Sequence, residues 1–268
     1  MVLWLRHDEL KRRIGKVNSF TPASSCIASP WYNSIWKRIF DVLTAAFLLV
    51  LLFLPLTLIA LGVKLTSRGP VFFRQRRPGK GGREFSILKF RTMVNNGHHQ
   101  GPVLTRSADP RITKFGGFMR KWKLDELPQL FNVLRGEMSF VGPRPQPTKL
   151  WQGPLIREQA ACVLSVRPGI TSQATVNFRN EEELLAPLSA EEVEEVYLRT
   201  LMPLKLEMEI QYLKSATLRG DIAIIFKTAL RVFRGQPQKG HVLMSRTLHT
   251  APTQDAASEH LPSARQKE

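Results

Sequence analysis

Two adjacent acids, Asp125 and Glu126, follow directly on a long basic stretch of the sequence. Residues 64–123 contain fifteen Lys or Arg residues and only two acids. The next two charges along the chain are both negative and lie side by side. This placement makes the pair the first candidate for chemistry, because concentrated positive charge favours the ionised form of a neighbouring carboxylate.

A helix is predicted to begin just after the two acids. Pro128 suits the first turn of a helix, where its missing N–H costs nothing, and Arg135-Gly136 is a typical helix end. Asp125 and Glu126 then lie at the helix N-terminus, where the macrodipole stabilises ionised carboxylates. A purely structural alternative stays open, in which the acids only cap the helix.

Two arginines lie in segments of restricted backbone freedom and suit the binding of phosphate. Arg144 stands between Pro143 and Pro145, and Arg167 precedes Pro168. A guanidinium held in one place is a good bidentate ligand for a phosphate group. The Gly-rich basic segment 74–83 could also cradle phosphate through its N–H groups, but an ordinary surface hairpin turn is the favoured interpretation.

The charge of the whole chain indicates an anionic partner. The net charge is +17 and the isoelectric point is about 10.5. Nucleic acid, an anionic lipid surface and phosphorylated substrates all meet this requirement. The sequence has no helix-turn-helix, zinc-finger or RRM signature, and it does contain an uncharged apolar segment, so a nucleic-acid-binding protein is the disfavoured alternative.

The apolar segment, residues 42–63, carries no charge and is long enough to cross a bilayer as a helix. Pro55 lies well inside it and predicts a kink or break. Basic residues flank the segment on both sides, and positive charge prefers the cytoplasmic face. We therefore expect a re-entrant helix-break-helix with both ends in the cytoplasm, with a straight span as the alternative.

These elements predict an α+β fold that is mainly α. It comprises the re-entrant helix with its kink at Pro55, interfacial amphipathic helices, and a small cytoplasmic globular domain with a short β-hairpin. The hairpin is expected from residues 71–90, and a basic amphipathic helix from residues 111–123. The predicted domains are a basic polar arm (1–33), the membrane helix (34–66), the catalytic domain (67–232) and a polar, disordered tail (233–268).

Several motifs together resemble one known family. KFRTM (89–93), DPRIT (109–113), LDELPQLFNVLRGEMSFVGPRP (124–145) and RPGIT (167–171) are similar, in order and spacing, to motifs of the bacterial sugar transferases. These are monotopic phosphoglycosyl transferases, and the chain resembles the small members that have only the catalytic domain. The resemblance covers residues 37–230. One departure is Trp122-Lys123, where the family commonly has a pair of small hydroxyl residues.

The resemblance implies that a sugar 1-phosphate moves from a nucleoside diphosphate sugar, usually UDP-linked, to undecaprenyl phosphate, with release of UMP. Asp125 would be the nucleophile and would form a covalent phosphosugar intermediate; Glu126 would support it, and Mg²⁺, bound in part by Asp125, would assist. The basic residues implied to bind the diphosphate are Lys89, Arg91, Arg111, Arg120, Arg144 and Arg167.

The resemblance also implies a place in the cell. The protein would lie in the bacterial inner membrane, with its catalytic domain on the cytoplasmic face and anionic lipid around it. It would begin the membrane stage of a glycan pathway such as exopolysaccharide synthesis, with downstream glycosyltransferases as possible partners. A catalytically silent membrane scaffold of the same fold is the alternative.

Overall fold

The structure is a computed structural model. It describes residues 27–94, 109–151, 154–178 and 196–234, together with 181, 185, 189, 193 and 194. Most of the predicted N-terminal arm and all but the start of the polar tail lie outside the described residues, as do residues 95–108.

Helices make up most of the described fold. In chain order they are α1 (Pro30–Asn33), α2 (Ile35–Leu51), α3 (Phe53–Thr66), α4 (Lys114–Lys121), α5 (Gln129–Arg135), α6 (Pro154–Leu164), α7 (Gln173–Asn177), α8 (Met202–Ser215) and α9 (Leu218–Arg234). A 3₁₀ turn, Leu124–Glu126, precedes α5, and a π-helical turn, Tyr197–Leu201, precedes α8. The prediction of a mainly α fold with a small β component is confirmed.

The strands form two separate pairs. The predicted hairpin is present: β1 (Phe72–Pro78) and β2 (Glu84–Phe90) are antiparallel, with Phe72 opposite Phe90. The second pair, β3 (Ser139–Val141) and β4 (Gly169–Thr171), is parallel. The sequence did not predict this pair, because strands of three residues are too short to show an alternating pattern.

The apolar segment forms α2 and α3, which meet at a bend of 67°. The predicted break is therefore present, but it lies at Leu52 and not at Pro55. Proline acts one turn ahead of itself, since it cannot donate to the carbonyl of residue i−4, here Leu51, and its ring crowds that group. Within the described residues no single helix is long and apolar enough to cross a membrane, whereas α2 and α3 together satisfy that test by length and composition.

An apolar cluster joins the end of α3 to the hairpin and to α4. Val63, Phe90 and Met119 are buried together, each at most 2% exposed. Gly116, inside α4, has a packing role. A β-carbon on Gly116 would lie 2.0 Å from the carbonyl oxygen of Thr92, so only glycine allows α4 to approach this chain segment so closely.

The last two helices, α8 and α9, are separated by two residues. Gly220 and Asp221 belong to α9, which begins at Leu218. The hydroxyl of Thr217 accepts a hydrogen bond from the Gly220 N–H at 3.1 Å. Gly220 and Asp221 therefore lie in the first turn of α9, where an acid is favourable to the helix dipole.

A buried polar cluster connects α2 to the rest of the protein; we call it the anchor cluster. Lys37 Nζ lies 2.6 Å from Asp41 Oδ1, 3.1 Å from Asp221 Oδ2 and 2.7 Å from Ser139 Oγ. Both acids are at most 2% exposed. Asp221 also accepts from the hydroxyl of Tyr212 at 2.6 Å. The first helix of the bent pair is thus joined to β3, α8 and α9 by hydrogen-bonded charges.

Candidate active site

The two acids lie in the 3₁₀ turn between α4 and α5, and both are buried. Lys123, directly before the turn, has a left-handed backbone with φ of 55°. This conformation is uncommon for a residue other than glycine, and it reverses the chain from the end of α4 into the acidic turn. Pro128 then occupies the N-cap position of α5, and Gly136 ends the helix as predicted.

Glu126 is held by two cations. Lys89 Nζ donates to Glu126 Oε1 at 2.8 Å, and Arg144 donates from both terminal nitrogens, with Nη1 3.0 Å from Oε2. Burial alone would raise the pKa of Glu126, but the charges of Arg144 and Lys89 outweigh it and hold the pKa well below its usual range. The structure therefore brings together three predicted site residues, Lys89, Glu126 and Arg144.

Asp125, unlike Glu126, is not fully hydrogen-bonded. Its carboxylate is buried, and its Oδ1 has no hydrogen-bond partner among the described residues. Burial raises the pKa of Asp125, while the charge of Lys89 opposes the rise. A buried carboxylate oxygen without a partner is costly, so this atom is available to a ligand, a metal ion or a reacting group.

Arg120 lies near Asp125 and also near Asp109, the ion-pair partner of Arg111. The charge of Arg120 acts on both Asp125 and Asp109, lowering the pKa of each relative to what burial alone would give. Arg111 forms a forked ion pair with Asp109, with Nε 2.8 Å from Oδ1 and Nη2 2.5 Å from Oδ2. Arg120 is thus close to the acidic pair, whereas the guanidinium of Arg111 binds an acid of its own motif.

The other two predicted phosphate ligands lie elsewhere. Arg91 donates to the backbone oxygen of Ser67 at 2.6 Å and to that of Pro70, so it fastens the end of α3 to the hairpin. Arg167 Nε donates to the carbonyl oxygen of Gly136 at 2.9 Å, at the opposite end of α5 from the acids. The structure does not bring either residue to the acidic pair.

Three further residues, close either to the acids or to Arg144, were not predicted from the sequence. Arg77, on the hairpin, is close enough to Arg144 and Glu126 to interact with both, and burial lowers its pKa to about 10. Glu209, on α8, is buried and its pKa is raised by burial to about 7. No local pattern marks these two residues, because they come from distant parts of the chain.

The third missed residue, Gln129, had a signal in the sequence. It is fully buried, and both polar atoms of its side-chain amide have no hydrogen-bond partner among the described residues. It stands four positions after Asp125, the spacing that places two side chains on one face of a helix. The helix predicted at this point could therefore have drawn attention to Gln129.

The donor groups at the site are compatible with magnesium. Mg²⁺ needs only one or two protein carboxylates when substrate phosphates and water complete its octahedron. Asp125 Oδ1 is such an oxygen, while Glu126 is already bound by cations. In the part of the chain that the structure describes, no group of three His, Cys, Asp or Glu side chains forms a metal cage. The site therefore suits a Mg²⁺ ion that is bound jointly by Asp125 and by the phosphates of the substrate.

Comparison with known proteins identifies the family that the sequence motifs resemble. The family model for bacterial sugar transferases matches residues 32–235. The UDP-glucose:undecaprenyl-phosphate glucose-1-phosphate transferase of Xanthomonas campestris is 41% identical over 210 residues, which are 75% of this chain and 39% of that protein. A protein of the same name from Caulobacter vibrioides is 41% identical over 198 residues, or 72% of this chain and 67% of its own length.

A third relative is matched over nearly its whole length. The uncharacterized sugar transferase EpsL of Bacillus subtilis is 36% identical over 214 residues, which are 79% of this chain and 95% of that protein. The Xanthomonas protein and others of similar likeness are much longer, and this chain spans only about 40% of their length. The family model nevertheless covers most of this chain, including the hairpin, the acidic turn and the anchor cluster. The chain therefore belongs to the bacterial sugar transferase family.

Proposed function

We propose that the protein transfers a sugar 1-phosphate from a nucleoside diphosphate sugar, most simply a UDP-sugar, to undecaprenyl phosphate. The names of the relatives support this reaction class. The observation that carries the proposal is the contrast within the acidic pair: Glu126 is clamped by Lys89 and Arg144, while Asp125 presents an oxygen with no partner in the described structure.

In the first step Asp125 is the nucleophile. Its carboxylate oxygen attacks the phosphorus bonded to the sugar, and a new P–O bond forms to the aspartate. The bond from this phosphorus to the bridging oxygen breaks, and the nucleoside monophosphate leaves with that oxygen and the electron pair. The product is an aspartyl phosphosugar, and the enzyme has divided one difficult transfer into two displacements.

In the second step the lipid phosphate displaces the aspartate. An oxygen of undecaprenyl phosphate attacks the same phosphorus, the bond to Asp125 breaks, and the carboxylate is regenerated. Both steps bring an anion to an anionic phosphorus, so nearby cations must offset the repulsion. Arg144, Lys89 and Arg120 supply positive charge on this side of the molecule.

Magnesium, when bound, would neutralise phosphate charge and polarise the phosphorus–oxygen bonds. Asp125 would hold it through Oδ1, which has no hydrogen-bond partner among the described residues. Glu126 has a different task, because its two cations keep it ionised and fixed. It holds Arg144 and Lys89 in place beside the nucleophile.

We also propose that α2 and α3 enter one leaflet of the bacterial inner membrane from the cytoplasmic face. Around the bend, Phe47, Val50, Phe53 and Leu54 expose between 65% and 80% of their surfaces. A contiguous apolar surface of this kind is typical of a lipid contact. Basic residues at both ends of the pair favour a cytoplasmic location for each end.

The reaction is tested with purified protein, a panel of UDP-sugars, undecaprenyl phosphate and Mg²⁺, by measuring UMP release. Asp125→Asn should lower turnover by roughly 10⁴-fold or more, as loss of an essential nucleophile does. Incubation of the wild type with labelled UDP-sugar, without the lipid, should leave label covalently bound and shift the intact mass. The same label should be absent from Asp125→Asn.

The matched control is Asp109→Asn, an equal change at an acid outside the turn. It should keep the covalent label. Undiminished turnover in Asp125→Asn would exclude Asp125 as the nucleophile, and a wild type without activity on any UDP-sugar would favour the silent scaffold. For topology, single cysteines at positions 34 and 67 should both react only from the cytoplasmic side; labelling of either from the periplasm would exclude the re-entrant arrangement.

A further inference from the structure

A small cavity lies beside the first turn of α2, away from the acidic pair. Its volume is about 50 Å³, and the side chains that define it include Ser34, Lys37, Arg38, Lys80 and Arg167. We call it the basic cavity. It lies at the C-terminal end of α5, whereas the acids lie at the N-terminal end. Because α5 is seven residues long, its two ends are roughly 10 Å apart at 1.5 Å per residue.

Two arginines enter the cavity from different elements and share one structural task. Arg38 donates to the carbonyl oxygens of Val133 at 2.7 Å and Leu134 at 3.2 Å, and Arg167 donates to that of Gly136. These are the last carbonyls of α5, which have no partner within the helix. The guanidiniums thus cap the negative end of the helix dipole.

Gly136 ends α5 beside the two arginines. Its φ is 83°, a left-handed conformation that glycine adopts freely. A β-carbon there would make ordinary contact with Arg38, 3.5 Å from Nη2. The backbone conformation at the helix end, and not lack of space, therefore favours glycine.

Capping α5 does not account for all the donors around the cavity. Arg167 uses only its Nε in the hydrogen bond to Gly136, so its two terminal nitrogens have no acceptor among the described residues. Lys80 Nζ likewise has none in that part of the chain. Ser34 caps α2, and the N–H groups of that helix's first turn add a partial positive charge.

One carboxylate, that of Asp41, is among the side chains that line the cavity, and its charge acts on Arg38. Asp41 is already paired with Lys37, which also contacts Asp221 in the anchor cluster. Arg38, Lys80 and Arg167 have no carboxylate within ion-pair distance among the described residues. Three cations of like sign around one cavity repel one another, and an anion between them would remove that cost.

The size of the cavity is compatible with a phosphate group. A single water needs roughly 10–15 Å³, so 50 Å³ is room for the oxygens of one phosphate. Forked arginine donors and a lysine ammonium are the usual protein ligands of phosphate. Hydrogen-bond donors face the cavity from the hairpin, from α2 and from the segment before β4.

We propose that the basic cavity formed by Arg38, Lys80 and Arg167 is a binding site for a phosphate group, separate from the catalytic acids. The cavity lies at the N-terminal end of α2, just before the apolar segment begins at residue 42. The phosphate comes either from a membrane lipid headgroup or from free phosphate in solution. The lipid source rests on the membrane placement proposed above, whereas the phosphate site itself does not.

The test uses the full-length protein in detergent, without nucleotide sugar and with a metal chelator, titrated with inorganic phosphate and, separately, with short-chain phosphatidylglycerol. Binding is followed by calorimetry and thermal unfolding. Lys80→Gln is the informative variant, because Lys80 is exposed and makes no hydrogen bond within the described structure. Arg83→Gln, in the same turn but outside the cavity, is the control with an equal charge change.

Lys80→Gln should bind phosphate about tenfold more weakly than the wild type, as expected for loss of one charge-assisted hydrogen bond, and Arg83→Gln should bind like the wild type. A response to the lipid alone supports a headgroup as the source, and a response to inorganic phosphate supports a soluble anion. Equal weakening in the two variants would show only general surface charge and would overturn the proposal. So would a wild type that responds to neither ligand.

Discussion

The anchor cluster and the acidic pair are both buried groups of opposite charges, yet their hydrogen bonding differs. Lys37 contacts two carboxylates and a hydroxyl, and its partners Asp41 and Asp221 each accept further hydrogen bonds. In the acidic pair one carboxylate, Glu126, is equally well bound, but Asp125 keeps an oxygen without a partner in the described residues.

This difference separates a structural role from a chemical one. A buried network in which every group is satisfied specifies one arrangement of its elements, here α2 against β3, α8 and α9. A buried group left unsatisfied costs stability and persists where a ligand or reaction uses it. Burial and charge alone would not have distinguished the two regions.

The largest effect is expected from the loss of the anchor cation. Lys37→Met leaves Asp41 and Asp221 buried without their partner, and breaking a buried ion pair in this way costs about 3–5 kcal/mol. Denaturant unfolding of the purified protein measures the change. Lys114→Met, at an exposed position on α4, should be nearly neutral; an equal loss in both variants would contradict a structural role for the cluster.

Glu209 is a third buried charged group, and its contribution to stability should depend on pH. Its pKa is raised by burial to about 7, so the folded state keeps a proton that the unfolded chain releases near its ordinary value of 4.5. This contribution to stability is fully present below about pH 4.5 and is lost as the pH rises through about 7. The gap corresponds to about 3 kcal/mol, at roughly 1.4 kcal/mol per pH unit.

The measurement compares wild type and Glu209→Gln at pH 5 and pH 8. The wild type should lose more stability than the variant between these values. A parallel decline in both proteins would mean that Glu209 does not carry the pH dependence. Because Glu209 accepts a hydrogen bond from the backbone N–H of Arg144, a weaker interaction of Arg144 with the substrate is also expected in the variant.

The same chemical change should have opposite effects in the two regions. Asp41→Asn removes a carboxylate that Lys37, Ser139 and the backbone all bind, and should cost about 2 kcal/mol. Asp125→Asn removes an incompletely bound charge and should raise stability by about 1 kcal/mol while it abolishes activity. Thermal unfolding of the two variants, with activity measured in parallel, tests the distinction; destabilisation of equal size would refute it.

The smallest effect on stability is expected at Lys123, the residue directly before the acidic turn. Lys123 holds a left-handed backbone, so Lys123→Gly should gain up to about 1 kcal/mol from relief of that strain. The substitution should also reduce activity, because the positive charge of Lys123 favours the ionised form of both acids. Lys121→Gly, at the last residue of α4, removes the same charge without a left-handed backbone to relax, so this control should gain no stability. A stability loss at position 123 would mean that the conformation is not strained.

The sequence alone determined the features that depend on near neighbours. Pro128 and Gly136 predicted both ends of α5, because each acts through its own backbone conformation. Pro55 predicted the bend between α2 and α3, although it acts on the preceding turn and the break falls at Leu52. The alternation around the Gly-rich turn predicted the hairpin for the same local reason.

Only the tertiary structure decided which charges meet. Lys89 reaches Glu126 across 37 positions of sequence, while Arg167, equally suited by its local pattern, caps the far end of α5. Lys37 and Asp221 come from opposite ends of the described chain. Coulombic attraction has no preferred sequence spacing, so in a chain with this many cations the partner of each acid is selected by the packing of distant elements.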